Sequence, residues 1–113
     1  MHEMSIALNI VRTVEEELQK AKGSKVEKLE LVVGKLSGVV VESLDFAMQA
    51  AKKEGPLAEA TIQIDEAPGK MRCLKCTHEF DTDDFYAICP KCNQYQHEVI
   101  SGKELLIRSM TIV

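Results

Sequence analysis

The sequence predicts an α+β fold: two helices packed on a three-stranded sheet, interrupted by a small inserted domain. Three observations carry this. Two segments repeat apolar residues at steps of three and four, as helices with one buried face do. Three others alternate or run apolar, as strands do. Four cysteines, Cys73, Cys76, Cys89 and Cys92, crowd into the stretch before the last strand, and no other cysteine occurs in the 113 residues.

The first helix spans residues 4 to 22, where Met4, Ala7, Leu8, Val11, Val14, Leu18 and Ala21 form the stripe opposite Glu15, Glu16, Gln19 and Lys20. Gly23 is its expected stop. Residues 26 to 33 read as a strand through Leu29, Leu31 and Val33. A second helix fits residues 42 to 54, with Leu44, Ala47, Met48 and Ala51 on one face and Phe46 and Ala50 widening it. Residues 60 to 66 alternate as a second strand, closed by Pro68-Gly69. Gly102 precedes the third, Lys103 to Val113. That last strand is too apolar to stand alone, so it is expected beside the first two. The chain therefore divides into an α+β domain, residues 1–69 and 99–113, and an inserted domain, residues 70–98.

Composition bounds the function. The chain is 45% hydrophobic and 28% charged, with 14 Lys and Arg against 18 Asp and Glu, for a net charge of −4. Those values suit a folded globular chain and argue against general binding to nucleic acid or anionic membranes. No apolar run is long enough to span a bilayer, and the first residues lack the basic and apolar regions of a secretory signal. A cytoplasmic address is the expectation, and clustered cysteines there indicate a metal site.

Cys73-Leu74-Lys75-Cys76 and Cys89-Pro90-Lys91-Cys92 each set two thiolates on one tight turn. The residues between them suffice for a hairpin that brings the turns face to face around a tetrahedral ion. Four cysteines close the coordination sphere, so structural Zn(II) in a zinc ribbon is the reading, with a reversible disulfide pair or an iron site as the alternatives. Metal binding would supply folding free energy to a block with few aliphatic residues. His78 and His97 flank the knuckles as loop residues; exchange with a cysteine ligand or a pH response is the sharper alternative.

At the other end stands Met1-His2-Glu3. The α-amine, the amide nitrogen of His2 and its imidazole can chelate one ion in fused rings, with the amide and carboxylate of Glu3 in reach. Deprotonated amides with imidazole favour square-planar Ni(II) or Cu(II).

Together these features resemble the HypA/HybF family of nickel-incorporation factors for [NiFe]-hydrogenase maturation. The likeness covers essentially the whole chain: Met1-His2-Glu3-Met4-Ser5, Gly34-Lys35-Leu36-Ser37-Gly38-Val39, Glu42-Ser43-Leu44-Asp45-Phe46-Ala47, the four cysteines, and Ser101-Gly102-Lys103-Glu104-Leu105. The resemblance implies a non-enzymatic metallochaperone that carries Ni(II) at His2 and Glu3 and structural Zn(II) at Cys73, Cys76, Cys89 and Cys92. It implies as partners a HypB-type GTPase and the hydrogenase large-subunit precursor, and urease maturation factors in some members. One departure matters. Relatives often carry an acid shortly after the Ser-Gly-Val segment, where this chain has Val39-Val40-Val41 before Glu42. Either Glu42 substitutes, a water completes the sphere, or the site is purely amino-terminal.

The rival from another class is a zinc-ribbon nucleic-acid-binding module, using Lys70, Arg72, Lys75 and Lys91 with Phe80, Phe85, Tyr86 and Tyr95. Glu79, Asp81, Asp83 and Asp84 offset those cations. An enzyme is disfavoured, since no phosphate loop, HExxH or nucleophile with a base is present.

Overall fold

A computed structural model of the chain describes residues 3–53 and 55–113. The helical stripe becomes α1, Glu3–Lys20, whose buried residues are Ile6, Ala7, Val14 and Leu18. Met4 and Leu8 stay exposed although they lie on the sequence stripe, and Ile6 is buried although it does not. The buried stripe is therefore rotated toward Ile6. The exit from α1 also differs from expectation. Lys22, not Gly23, takes the left-handed conformation, at φ 56°. Gly23 is required there for space, because a side chain would strike Ile112 and Leu18.

Strand β1, Val26–Gly34, forms the centre of the first sheet, ordered β2-β1-β6. Helix α2, Val41–Ala51, carries the chain from β1 over to the parallel strand β2, Thr61–Ala67. A parallel neighbour demands such a crossover. The long final strand β6, Leu105–Ile112, runs antiparallel along the other side of β1, with Leu29 opposite Met110 and Val33 opposite Leu105. The last strand thus does pair with the first, and β1 gains a neighbour on both edges. Leu29, Leu31 and Val33 face a core shared with Val14, Leu18, Leu44 and Met48. Phe46, counted on the sequence as part of the α2 apolar face, is instead 76% exposed.

The second sheet, ordered β4-β3-β5, is built from β3, Lys70–Cys73, β4, Glu79–Asp81, and β5, His97–Ser101. It has little apolar interior: Met71, Cys73 and Cys89 are its buried apolar residues. Ion pairs knit its surface instead. Arg72 donates to Glu98 at 2.7 Å and to Glu79 at 3.2 Å across the strands, and hydrogen bonding from Arg72 holds the Glu79 carboxyl below its ordinary pKa. The radius of gyration, 17.3 Å, exceeds the roughly 13 Å of a compact chain this long. The sheets lie end to end, without a common core.

Their junction is made of backbone. Gly34, Gly69 and Gly102, which end β1, precede β3 and follow β5, are all buried. A side chain on Gly34 would strike the Gly102 carbonyl, and one on Gly102 would lie 2.6 Å from the Gly69 Cα. Leu36 covers the crossing and donates its N–H to the Gly102 oxygen at 2.7 Å, while Gly34 donates to the Glu104 oxygen at 2.7 Å. Such closely packed, hydrogen-bonded backbones form a stiff joint.

Two glycines with positive φ test this joint. Gly102 has φ 110° and no room for a methyl group, whereas Gly38 has φ 83° and open space around it. Gly38→Ala should cost about 1 kcal/mol, the backbone penalty alone. Gly102→Ala should cost about 3 kcal/mol, because the clash adds to that penalty. Denaturant unfolding of the two metal-loaded variants measures the difference; equal losses would mean that the joint is loose.

Candidate metal centre

The two CxxC turns are built alike. In each, the residue after the second cysteine is left-handed: Thr77 and Asn93, both at φ 62°. That conformation closes the knuckle, with Thr77 N–H on the Cys73 oxygen at 3.0 Å and Asn93 N–H on the Cys89 oxygen at 2.9 Å. The first cysteine of each pair then donates its amide onward, Cys73 to the His78 oxygen and Cys89 to the Gln94 oxygen. Asn tolerates the left-handed region; a β-branched Thr does not do so readily. These two positions were missed in the sequence. Their signal is weak, because only Asn93 is a residue type that favours such a turn.

Paired in this way, the knuckles bring all four sulfurs together. The four Sγ atoms lie within 4.8 Å of one another, with Cys73 to Cys92 at 3.4 Å and Cys76 to Cys89 at 3.7 Å. Tetrahedral thiolates at zinc-sulfur bond lengths would stand about 3.8 Å apart, so the spacing fits one ion. No disulfide joins them. The sulfurs are also electrostatically prepared. Amide donors from Cys76 and Lys75, with help from neighbouring sulfurs, overcome desolvation and pull the Cys73 thiol down to about 6. Cys89 is lowered as well: desolvation opposes this, but the amides of Cys92 and Lys91 outweigh it. Cys92 goes the other way. The Gln94 amide favours its thiolate, yet desolvation and the three other sulfurs push it up to about 12. A metal-free cluster thus gives up its first proton easily and keeps its last.

His78 and His97 are half-buried and outside the sulfur cluster. His78 stacks near Phe80 with ring centroids 6.3 Å apart, and His97 lies edge-on to Phe85 at 5.9 Å. His97 belongs to β5, opposite Cys73, and is not a loop residue.

At the other end, Glu3 is the first residue of α1 and half-buried. His2 lies outside the described residues. Glu3 and Met4 share a recess with Glu42, Ser43, Phe46 and Ala47, so the first carboxylate of α2 is brought beside that of α1.

Two outcomes follow for the sulfur cluster. Thr77→Asn should stabilise the metal-loaded chain by about 0.5–1 kcal/mol by relieving the left-handed Thr, and Asn93→Thr should cost a similar amount; thermal unfolding reads both. Metal uptake near neutral pH should release protons, that of Cys92 among them, and affinity should fall as pH drops through about 6 and Cys73 reprotonates. Calorimetry in buffers of different ionisation enthalpy counts the protons.

Comparison with known proteins agrees with this layout. A family model described as hydrogenase/urease nickel incorporation, metallochaperone, HypA, matches residues 1–112. The chain is 46% identical over 112 residues to the hydrogenase maturation factor HypA of Chlorobaculum parvum, covering 99% of each. It is 39% identical over 112 residues to the factor of the same name from Parabacteroides distasonis, covering 99% of this chain and 97% of the other. The solution structure of the Ni metallochaperone HypA from Helicobacter pylori shares the fold, with a TM-score of 0.70 at 23% identity over 100% of this chain and 98% of that one. Among the described residues no helix is long and apolar enough to cross a membrane. With the four-cysteine cluster and the two-helix, two-sheet architecture in place, the chain belongs to the HypA family of hydrogenase maturation factors, the nickel-incorporation metallochaperones.

Proposed function

We propose that this protein carries Ni(II) at its amino terminus and delivers it to the [NiFe]-hydrogenase large-subunit precursor, working with a HypB-type GTPase in the cytoplasm. The family match over residues 1–112 carries this reading. The ligands are the His2 imidazole and the backbone nitrogens of His2 and Glu3, and the α-amine of Met1 or a water completes the sphere. The Glu42 carboxylate shares a recess with Glu3, but it is not assigned to the nickel ligand set. Cys73, Cys76, Cys89 and Cys92 hold structural Zn(II). We assign residues 1–69 and 99–113 to the nickel-binding domain and 70–98 to the zinc-binding domain.

The two sites suit opposite tasks. A ligand set on a chain end can open one bond at a time, so the ion is held selectively and surrendered to a competing donor. A four-sulfur cage with two buried cysteines exchanges slowly and supplies folding free energy. Nucleic-acid binding is disfavoured because Arg72 and Lys70 are engaged by Glu79 and Glu98.

Nickel titration tests the assignment. His2→Ala should weaken Ni(II) binding by about 100-fold, with zinc content unchanged. Residues added before Met1 should weaken it only if the amine is a ligand, and Glu42→Gln only if that carboxylate is. Affinity should also fall as pH drops, because protons compete with the ion for the amide and imidazole nitrogens. Unaltered nickel affinity in His2→Ala would sink the assignment.

A further inference from the structure

The amino-terminal turns of α1 and α2 meet in a recess of about 400 Å³ lined by Glu3, Met4, Glu42, Ser43, Phe46 and Ala47. Its surroundings are apolar to a degree unusual for a solvent face. Phe46, 76% exposed, and Met4, 42% exposed, line it; Val40, 51% exposed, directly precedes α2, and Leu8 lies one turn past Met4 along α1. Singly exposed apolar residues are common; a group of them around one recess marks an interaction surface. An aromatic ring left this open is a typical anchor at such surfaces.

Charge indicates what covers it. Residues 3–11 and 36–51 contain Glu3, Glu42 and Asp45 and no Lys or Arg. Glu42 and Asp45, three residues apart on α2, lie on one side of the helix. Cargo does not cancel this charge. Nickel held by an imidazole and two deprotonated amides adds no net charge, so the carboxylates are left for a partner to match. The recess also adjoins Glu3, at the end where the ion is carried, and an acceptor must reach that end to take the ion.

We propose that this recess is the docking surface for the protein that receives nickel from this chain. The docking segment it fits is an amphipathic helix that sets an apolar side chain against Phe46 and Met4 and Lys or Arg beside Glu42 and Asp45. The proposal rests on the nickel-delivery reading given above.

Binding of the purified hydrogenase large-subunit precursor to the full chain, followed by calorimetry or interferometry, provides the test. Phe46→Ser removes the anchor and Asp45→Lys reverses a charge; neither side chain belongs to the core or the nickel ligand set. Each should weaken binding by about tenfold or more. Binding to the unaltered chain should weaken between about 50 and about 300 mM salt, and this dependence should shrink in Asp45→Lys. Tyr86→Ser, a change to an exposed ring on the other sheet, should leave binding intact. Affinities within twofold of the unaltered chain for both variants would overturn the proposal, as would absence of any complex. A change in the chain's own oligomeric state in Phe46→Ser, without an effect on the precursor, would overturn it in favour of a second copy as occupant. Nickel titration of the same variants keeps the two readings apart. Intact nickel binding with unchanged docking defeats only this proposal, whereas unaltered nickel affinity in His2→Ala defeats the delivery reading.

Discussion

The convergence of four sulfurs on one point is the interaction on which the second sheet depends. Between Lys70 and Ser101 only Met71, Cys73 and Cys89 are buried apolar residues, far short of a core that could hold three short strands. Exposed ion pairs around Arg72 contribute little on their own. The knuckles therefore carry the organisation: left-handed Thr77 and Asn93 close two turns, the turns aim amides at sulfur, and the sulfurs stand at metal-binding distance. Without an ion the same sulfurs would be mutually repelling or protonated groups with nothing else to gather them.

The first sheet has the opposite basis. Leu29, Leu31 and Val33 are covered by two helices, and its stability comes from burial. What joins the two is three glycines packed backbone to backbone under the buried side chain of Leu36. A linker pair invites the picture of lobes swinging freely. Gly34, Gly69 and Gly102 argue for a fixed angle, because they pack against one another and their carbonyls and amides are spent on Leu36, Ser37, Thr82 and Glu104.

Much of this was legible in the sequence where periodicity or spacing encodes it directly. Both helices, the three strands of the first sheet and the cysteine quartet follow from residue patterns. The exceptions have physical causes. Met4 and Leu8 fit the α1 stripe but are exposed, because the buried face is set by where α2 packs, which no single-helix pattern contains. Phe46 fails for the same reason, and its exposure is what gives the docking recess its anchor. The order β2-β1-β6, with β1 in the centre, is set by long-range pairing that no local pattern contains. Glu42 beside Glu3 is likewise a product of helix packing.

The order in which β1 acquires its neighbours has a consequence for synthesis. Its partner β6 is the last element of the chain, and every cysteine precedes it. As the chain emerges, α1, β1, α2 and β2 are available early, yet one edge of β1 stays bare until residues 105–112 are made. By then both knuckles have been translated. A nascent chain can thus assemble its sulfur cage before the larger sheet closes, and the bare β1 edge is a window for mispairing with other chains that shuts only once β6 is made.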